Sequence, residues 1–458
     1  MIGVTALAVL LVSLGLLWLR RPFLFVLTFA IFFNLVYRSV SVAYLDGAGP
    51  TYSVQLFRNL GPGWASIPLV IAHLVYLAAF LVVFNRRRLR YLGARCDRMA
   101  ATGDVRDDRL IGHAWLAASV VFLVLLYVDF MRIGVVPLVD GVERYDYTAS
   151  LGGRWHGLLM NYGMLWVFIL GVFYTRGLFA RGQADVRFLF VLLVTFVYLL
   201  LAGHRFSIFY VYITFFFAPY GIVYLWIRQG IGPAPATLQR LRRRTHRAVG
   251  AAAAVAVVVV SVGLYQSYFV TRNDGKTDPA RAIIHRALVQ PGELWYATWE
   301  RVFVRGETHA SEAFNRLFVN PIATPKRNTT IPYLMVAEVG DLAYPMLDAN
   351  MGYGGGYPEV FFELLGPFGA YAGVFVAALA TAGLYLLVVH AMLERRYVRL
   401  ALGWYVLFAF VNIVFGGMLN FLVNWIFWLK VSALVGWIAF ERERERVDVS
   451  GDEARQPA

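Results

Sequence analysis

The sequence has 458 residues, of which 59% are hydrophobic and 16% aromatic, and the apolar residues form continuous runs of helix length. Only α-helices and closed barrels satisfy their backbone hydrogen bonds inside lipid, so we predict an all-α, multispanning membrane helical bundle; a soluble globular domain is excluded. The formal net charge of +14 lies largely in short loops between the runs, which argues against nucleic-acid binding, and the single cysteine, Cys96, excludes disulfide frameworks.

Eleven apolar runs are long enough, or nearly so, to cross a hydrocarbon core of about 30 Å as helices. They cover residues 2–19, 22–45, 67–84, 110–130, 157–175, 188–202, 207–227, 248–270, 361–390, 398–416 and 419–440. The predicted domains are an N-terminal transmembrane bundle of about eight spans over residues 1–270, a polar extracytoplasmic loop domain over residues 271–357, C-terminal spans over residues 358–440, and a charged cytoplasmic tail over residues 441–458.

Arginine clusters follow the first, third, fifth, seventh and ninth runs, as Arg86, Arg87 and Arg88 do after the third. These clusters fall on one side if eleven spans alternate, and basic loop residues mark the cytoplasmic side. The N-terminus and residues 271–357 are then extracytoplasmic, and the C-terminus is cytoplasmic. The first run lacks the basic leading segment and the small-residue cleavage site of a signal peptide, so it is interpreted as a span.

Residues 271–357 combine many acidic and basic residues with aromatics, which indicates a folded polar cap. Trp295, Trp299 and Phe303 recur at every fourth position, which predicts a helix with one aromatic stripe. Two alternatives stay open: a helix lying in the headgroup plane, or an amphipathic helix packed on the spans. Both predict that Arg301 and Arg305, four apart on one face, lie beside lipid headgroups.

The segment Gly203-His204-Arg205 forms the predicted outer turn between the sixth and seventh runs. A charged arginine at membrane depth needs a partner, and a guanidinium is well shaped for bidentate phosphate contact. Arg205 is therefore a candidate phosphate ligand with His204 in support, although an interfacial arginine would snorkel without any such role. Arg38, near the outer end of the second run, and Arg272, just after the eighth, extend this prediction.

Two acidic residues mark the entry of the ninth run, after a glycine-rich segment that includes Tyr353, a supporting candidate. Glu359 and Glu363 follow Pro358 and are four residues apart, so they share a helix face. We expect Glu359 mainly to complement the helix dipole. The deeper Glu363 is a candidate catalytic group, and His309, between two acids in the sequence, is a candidate proton acceptor.

Lys430 lies near the middle of the last run and is a functional candidate, because a charge inside the membrane needs a reason; it may equally be explained by snorkelling or by pairing inside the bundle. The sequence has no Walker A loop, no His-Glu-x-x-His motif and no Gly-x-Ser-x-Gly motif. We therefore predict no ATP-driven transport, no metal and no cofactor.

Taken together, these features resemble the Wzy-type O-antigen and exopolysaccharide repeat-unit polymerases of bacteria. The resemblance covers the whole layout of about eleven spans, basic inner loops and one large outer loop in the C-terminal half. Its sharpest pieces are Ala202-Gly203-His204-Arg205, Thr271-Arg272-Asn273-Asp274-Gly275, and the segment from Tyr357 to Gly369, which is similar to the family's Pro-x-x-x-x-Glu-Leu-x-x-x-Phe-Gly element.

The resemblance implies a GT-C-like fold in the bacterial inner membrane and an inverting, metal-independent glycosyl transfer on the periplasmic side. The substrates would be two polyprenyl-pyrophosphate-linked oligosaccharides. Arg205, Arg272, Arg301, Arg305 and Arg38 would bind the pyrophosphate, while Glu363 or His309 would take the acceptor proton. Implied partners are membrane lipid and a chain-length regulator protein.

Two other functions remain open. An O-antigen ligase shares the GT-C architecture and the outer loop but uses a different acceptor. A flippase or transporter for lipid-linked oligosaccharides would need a polar pathway through the bundle, whereas the charges here gather at the outer ends of strongly apolar runs. The absence of a visible internal repeat also weakens the transporter alternative.

Overall fold

The structure is a computed structural model that describes residues 2–21, 24, 33–53, 55–85, 87–88, 105–142, 147, 153–181, 185–204, 206–228, 285–320, 330–348 and 356–453. It is about 83% helical, which confirms the predicted all-α class. The described strands are Thr51–Ser53 (β1) and Arg58–Leu60 (β2), which pair antiparallel with Thr51 opposite Leu60. This hairpin lies in a predicted outer loop and was not expected from the sequence.

The helices are numbered in chain order. They are α1 Ile2–Arg20, α2 Arg38–Gly47, α3 Ser66–Val83, α4 Val105–Ile133, α5 Pro137–Asp140, α6 Arg154–Arg181, α7 Val186–Leu201, α8 Phe206–Arg228, α9 Glu293–Trp299, α10 Ala310–Leu317, α11 Thr330–Val339, α12 Ala343–Asp348, α13 Glu359–Leu393, α14 Tyr397–Phe415, α15 Asn420–Val423 and α16 Trp425–Glu453. Wider π-helical turns cover Phe33–Tyr37, His285–Val289 and Glu300–Val304.

Six described helices are long and apolar enough to cross a membrane, so the chain is an all-α membrane protein. These segments are Ile2–Arg20, Ser66–Val83, Leu110–Asp140, Arg154–Gly177, Glu359–Leu393 and Tyr397–Phe415, and two shorter apolar helices are Val186–Leu201 and Ile208–Val223. Together they correspond to eight of the predicted runs. The run 248–270 lies outside the described residues, and the run 22–45 is described only at residue 24 and from residue 33.

The predicted last run, residues 419–440, is not one continuous helix. Asn424 has an extended backbone that separates α15 from α16, and its side-chain oxygen accepts a hydrogen bond from the backbone N–H of Ile426 at 2.9 Å. Within α16, the ammonium of Lys430 lies 4.4 Å from the centre of the Tyr405 ring. This cation–π contact gives Lys430 a partner inside the bundle, one of the alternatives that the sequence left open.

The chain divides into two compact units. The first contains Met1–Arg20, Ile31–Arg88 and Ile284–Ala458, and the second contains Arg21–Ala30 and Leu89–Ile283. Helices α1–α3 and α9–α16 therefore belong to the first unit, which joins the described parts of the predicted outer loop to the helix that carries the acidic pair. In the second unit, α6 packs along α8 and also contacts α4 and α7.

Helix α13 packs against α3 and α14 in the first unit. Ala370, Val374, Ala377, Ala378 and Thr381 are buried along it at helical spacing, so they form one stripe. Small side chains in such a stripe let helix backbones approach closely inside a membrane. The stripe therefore fixes the depth and rotation of α13, and with them the position of the acidic residues in its first turns.

The two ends of the first segment of α13 are set by glycines. Gly356, just before the helix, has a φ of 140°, and a Cβ there would meet the carbonyl oxygen of Gly416 at 2.5 Å. Gly366 has φ 71° and ψ −177°, which interrupts the helical backbone before Pro367. The segment from Glu359 to the Gly366 break is consequently a short, separately oriented piece of helix that carries both carboxylates.

Replacing Gly366 with alanine should destabilise the protein by about 1–3 kcal/mol, because this backbone conformation is essentially restricted to glycine. No atom lies within 4 Å of the added Cβ, so the effect would come from the backbone alone. The matched control is Gly383→Ala in the same helix, which also has open space and no positive φ. Thermal unfolding in detergent should show a lower midpoint for Gly366→Ala only; equal midpoints would contradict the assigned strain.

Candidate functional site

The carboxylate of Glu359 forms a buried ion pair with Arg38, the first residue of α2. One terminal guanidinium nitrogen donates to Glu359 Oε1, and the other lies 3.4 Å from Oε2 and also donates to the Tyr357 carbonyl. Nε of Arg38 donates to the Pro291 carbonyl at 3.2 Å. The expectation that Glu359 mainly complements the helix dipole is therefore wrong in emphasis, because a buried carboxylate opposite a buried guanidinium is chiefly an ion-pair partner.

One turn deeper, Glu363 binds Arg301 from the π-helical turn that follows α9. Glu363 Oε1 accepts hydrogen bonds from Arg301 Nε at 2.9 Å and Nη2 at 2.5 Å. A second carboxylate, from Glu338 at the end of α11, accepts a hydrogen bond from Arg301 Nη1. All three side chains are at most 3% exposed. Arg301 is thus fixed between two acids, in agreement with the prediction that Glu363 orients an arginine.

The network continues to the protein surface through Arg58 of β2. Its guanidinium lies 3.3 Å from Glu338 Oε2 and also pairs with Glu300, and the side chains of Arg58 and Glu300 are 34% and 26% exposed. We call Arg58, Glu300, Arg301, Glu338 and Glu363 the buried charge network. It contains two arginines and three carboxylates, so it holds one more acid than base.

His309 approaches Glu363 through its backbone. Its N–H donates to Glu363 Oε2 at 3.4 Å, while the ring Nδ1 lies 3.7 Å from the Glu312 carboxylate and the side chain is 39% exposed. The structure therefore brings residues 309 and 363 together, but the imidazole faces a different acid. Oε2 of Glu363 receives this one long hydrogen bond from the described residues, whereas Oε1 carries both bonds from Arg301.

The aromatic stripe of α9 is buried, which selects the packed amphipathic helix among the two predicted alternatives. The Trp295 ring lies 5.1 Å from that of Phe362, and Trp299 lies 5.3 Å from Trp64. The prediction that Arg301 lies beside lipid headgroups is wrong, because its guanidinium is enclosed by Glu338 and Glu363. Arg305 follows the last residue of the helix and forms an exposed pair with Glu307 at 3.4 Å.

His204 belongs to the second unit, where it forms a buried pair with His156. Their Nε2 atoms are 3.1 Å apart, and His156 Nδ1 lies 3.0 Å from the Tyr198 hydroxyl. One imidazole must donate and the other accept, so the three side chains form a continuous hydrogen-bonded row. His156 carried no signal in the sequence. Three other predicted site residues, Arg205, Arg272 and Tyr353, lie outside the described residues.

A further buried acid, Glu293, begins α9 and was not singled out from the sequence. Ser53 donates a hydrogen bond to its Oε1 at 2.8 Å, and His285 Nε2 lies 3.6 Å from the same oxygen. Oε2 is buried and accepts no hydrogen bond from the described residues. Burial raises the pKa of the Glu293 carboxyl from 4.5 to about 7, and the Ser53 hydrogen bond opposes this rise.

This raised pKa predicts a pH-dependent stability. The folded protein holds the Glu293 proton more tightly than the unfolded chain, so the stability from this group is complete below pH 4.5 and is lost as the pH rises to about 7. Glu293→Gln should remove this component: its unfolding midpoint, relative to wild type, should rise across that interval. Glu307→Gln, in an exposed pair, is the control. Parallel pH profiles for Glu293→Gln and wild type would contradict the prediction.

Comparison with known proteins gives one match. Residues 324–429 match the model of a family described as "Family of unknown function (DUF6418)". No curated protein and no solved structure matches the chain. The matched segment contains Glu338, Glu359 and Glu363, whereas Arg38 and Arg301 precede it. The similarity therefore covers the acidic half of the ion pairs described above. Among the described residues, no three His, Cys, Asp or Glu side chains form a group suited to a metal ion.

Proposed function

We propose that this protein polymerises polyprenyl-pyrophosphate-linked oligosaccharide repeat units into O-antigen or exopolysaccharide. The proposed fold is GT-C-like with about eleven spans, and the proposed site lies on the periplasmic face of the bacterial inner membrane. The observation that carries the proposal is the Arg301–Glu363 pair at the start of α13. It combines a fixed cation and a carboxylate within the segment that resembles the polymerase family.

The proposed reaction assigns different work to the two partners. The acceptor hydroxyl oxygen attacks the anomeric carbon of the donor sugar, the bond from that carbon to the pyrophosphate oxygen breaks, and the configuration inverts. The hydroxyl proton passes to Glu363, whose Oε2 has one long hydrogen bond from His309 while Oε1 holds Arg301. A guanidinium beside the leaving group stabilises the negative charge that develops on the pyrophosphate.

Further arginines are proposed as pyrophosphate ligands. Arg205 and Arg272 keep this role as predictions from the sequence, whereas Arg38 and Arg301 are each already paired with buried carboxylates. For Arg38, positioning of the α13 entry through Glu359 is the role that its contacts favour. Membrane lipid and a chain-length regulator protein are the proposed partners.

The proposed orientation places the N-terminus outside and the C-terminus inside the cytoplasm. It is supported by the arginine clusters, which would all lie in cytoplasmic loops. Reporters fused after Gly275 and after Glu445 should give opposite results, with periplasmic activity at the first and cytoplasmic activity at the second. Cytoplasmic activity at both positions would contradict the orientation.

Deletion of the gene separates the proposed polymerase from the two alternatives. Loss of a polymerase should leave single repeat units that still reach the outer surface. Loss of a ligase should leave long polymer on the lipid carrier, because polymerisation continues without transfer to the final acceptor. Loss of a flippase should leave single lipid-linked units on the cytoplasmic side. The proposal requires the first pattern, reversed by the wild-type gene; either of the others would replace it.

A further inference from the structure

Glu338 bridges two arginines from distant parts of the chain. Its Oε1 accepts a hydrogen bond from Arg301 Nη1, and its Oε2 lies 3.3 Å from Arg58 Nη2. Each oxygen of one anion therefore faces a different guanidinium. A phosphate group binds paired arginines in the same way, with separate oxygens on separate planar donors. The carboxylate of Glu338 thus has the contacts that a phosphate would make between these two side chains.

The three carboxylates of the buried charge network are not equivalent. If Glu338 moved away, Arg58 would keep Glu300 and Arg301 would keep Glu363. Departure of Glu300 or Glu363 would instead remove a charge partner that one arginine does not share. Because an unpaired buried charge is strongly destabilising, Glu338 is the acid that the network can exchange for another anion.

The position of Glu338 also suits exchange. Arg58 and Glu300 are partly exposed at one end of the network, whereas Arg301 and Glu363 are buried at the other, so an anion can approach from the exposed end. Glu338 is the next-to-last residue of α11, and Gly340 follows with a φ of 61° and no atom near its missing Cβ. The glycine ends the helix beside Glu338 without packing constraint on that turn.

We propose that Arg58 and Arg301 form a binding site for a diphosphate group, and that Glu338 is the side chain which this group displaces. The inference rests on the proposed function, since it supplies a location for the pyrophosphate of the lipid-linked substrate next to Glu363. It also adds Arg58, from the β1–β2 hairpin, to the residues that contact that substrate. The shared chemistry is a phosphate anion, which a phospholipid headgroup also carries.

The test measures the affinity of the purified full-length protein for inorganic pyrophosphate by calorimetry in detergent. Glu338→Gln removes the competing charge while keeping the side-chain shape, so binding should tighten by about tenfold relative to wild type. Glu307→Gln removes one acidic charge from an exposed pair and should bind like wild type. Adding Arg58→Gln to Glu338→Gln should abolish the gain, because one arm of the site is lost.

Unchanged affinity in Glu338→Gln, or a gain that survives Arg58→Gln, would overturn the proposed site. If Glu338→Gln does not fold, Glu338→Asp serves instead, because a shorter carboxylate cannot reach both arginines and should also bind pyrophosphate more tightly. A parallel titration in nanodiscs with and without phosphatidylglycerol distinguishes the sources of phosphate: equal competition by the phospholipid would overturn the diphosphate assignment.

These outcomes are separable from those of the proposed function. A wild-type protein that makes polymer while Glu338→Gln shows no gain in pyrophosphate affinity would leave the polymerase proposal standing and remove the Arg58–Arg301 site. A tenfold gain with no polymer from wild type would keep the diphosphate site and remove the polymerase assignment.

Discussion

Glu359→Gln is expected to destabilise the protein by about 3–5 kcal/mol, because it leaves the guanidinium of Arg38 buried without a counter-charge. Among the described residues, no second carboxylate pairs with Arg38; the remaining acceptors are the carbonyls of Tyr357 and Pro291, which carry no net charge. Thermal or denaturant unfolding in detergent should therefore show a large loss of stability and low amounts of protein in membranes.

The matched control removes the charge from both sides. The double variant Arg38→Met with Glu359→Gln has no unpaired buried ion, so it should recover much of the stability lost in Glu359→Gln. Glu307→Gln, in an exposed pair, should change stability by less than about 1 kcal/mol. A double variant no more stable than Glu359→Gln alone would show that the ion pair is not the cause.

Glu363→Gln should have the opposite profile, with nearly normal stability and very little polymer. Arg301 would still pair with Glu338, and the new amide oxygen can accept a hydrogen bond from Arg301, so no buried charge is left alone. The amide cannot take a proton from the acceptor hydroxyl, and loss of such a base typically lowers a rate by about 10²–10⁴-fold. Electrophoresis of the surface polysaccharide should show single repeat units in place of long chains.

The pair of variants is informative because Glu359 and Glu363 are one helical turn apart and equally buried. A general disturbance of the α13 entry would affect polymer length and stability together in both. Normal polymer from a stably folded Glu363→Gln protein would remove Glu363 as the proton acceptor and make the side chain of His309 the next candidate.

The sequence predicted the positions of the acids but not their partners. Continuous apolar runs predicted α3, α13 and α14, and the spacing of four predicted that Glu359 and Glu363 share a face. Arg38 and Arg301 lie 321 and 62 residues away from these acids along the chain, and their pairing depends on how α2 and α9 pack against α13. No local pattern encodes such distances, so the arginines were predicted as exposed phosphate ligands.

The same limit explains the residues that were missed. Arg58 sits in a hairpin whose three-residue strands are too short to show alternation, and Glu338 and Glu293 read as ordinary loop acids. Burial distinguishes them, and burial is a property of the packed helices. The break at Gly366 follows more directly from sequence, since a Gly-Pro pair is a strong signal for interruption of a helix.

The most direct test of the central claim is polymerisation by the purified protein. Wild type, incubated in detergent with polyprenyl-pyrophosphate-linked repeat units and no added nucleotide, should convert single units into a ladder of longer lipid-linked chains and release polyprenyl pyrophosphate. Glu363→Gln, at equal folded concentration, should leave the units unchanged. Single units that persist unaltered with folded wild-type protein, or a ladder made equally well by Glu363→Gln, would contradict the proposed reaction or the proposed base respectively.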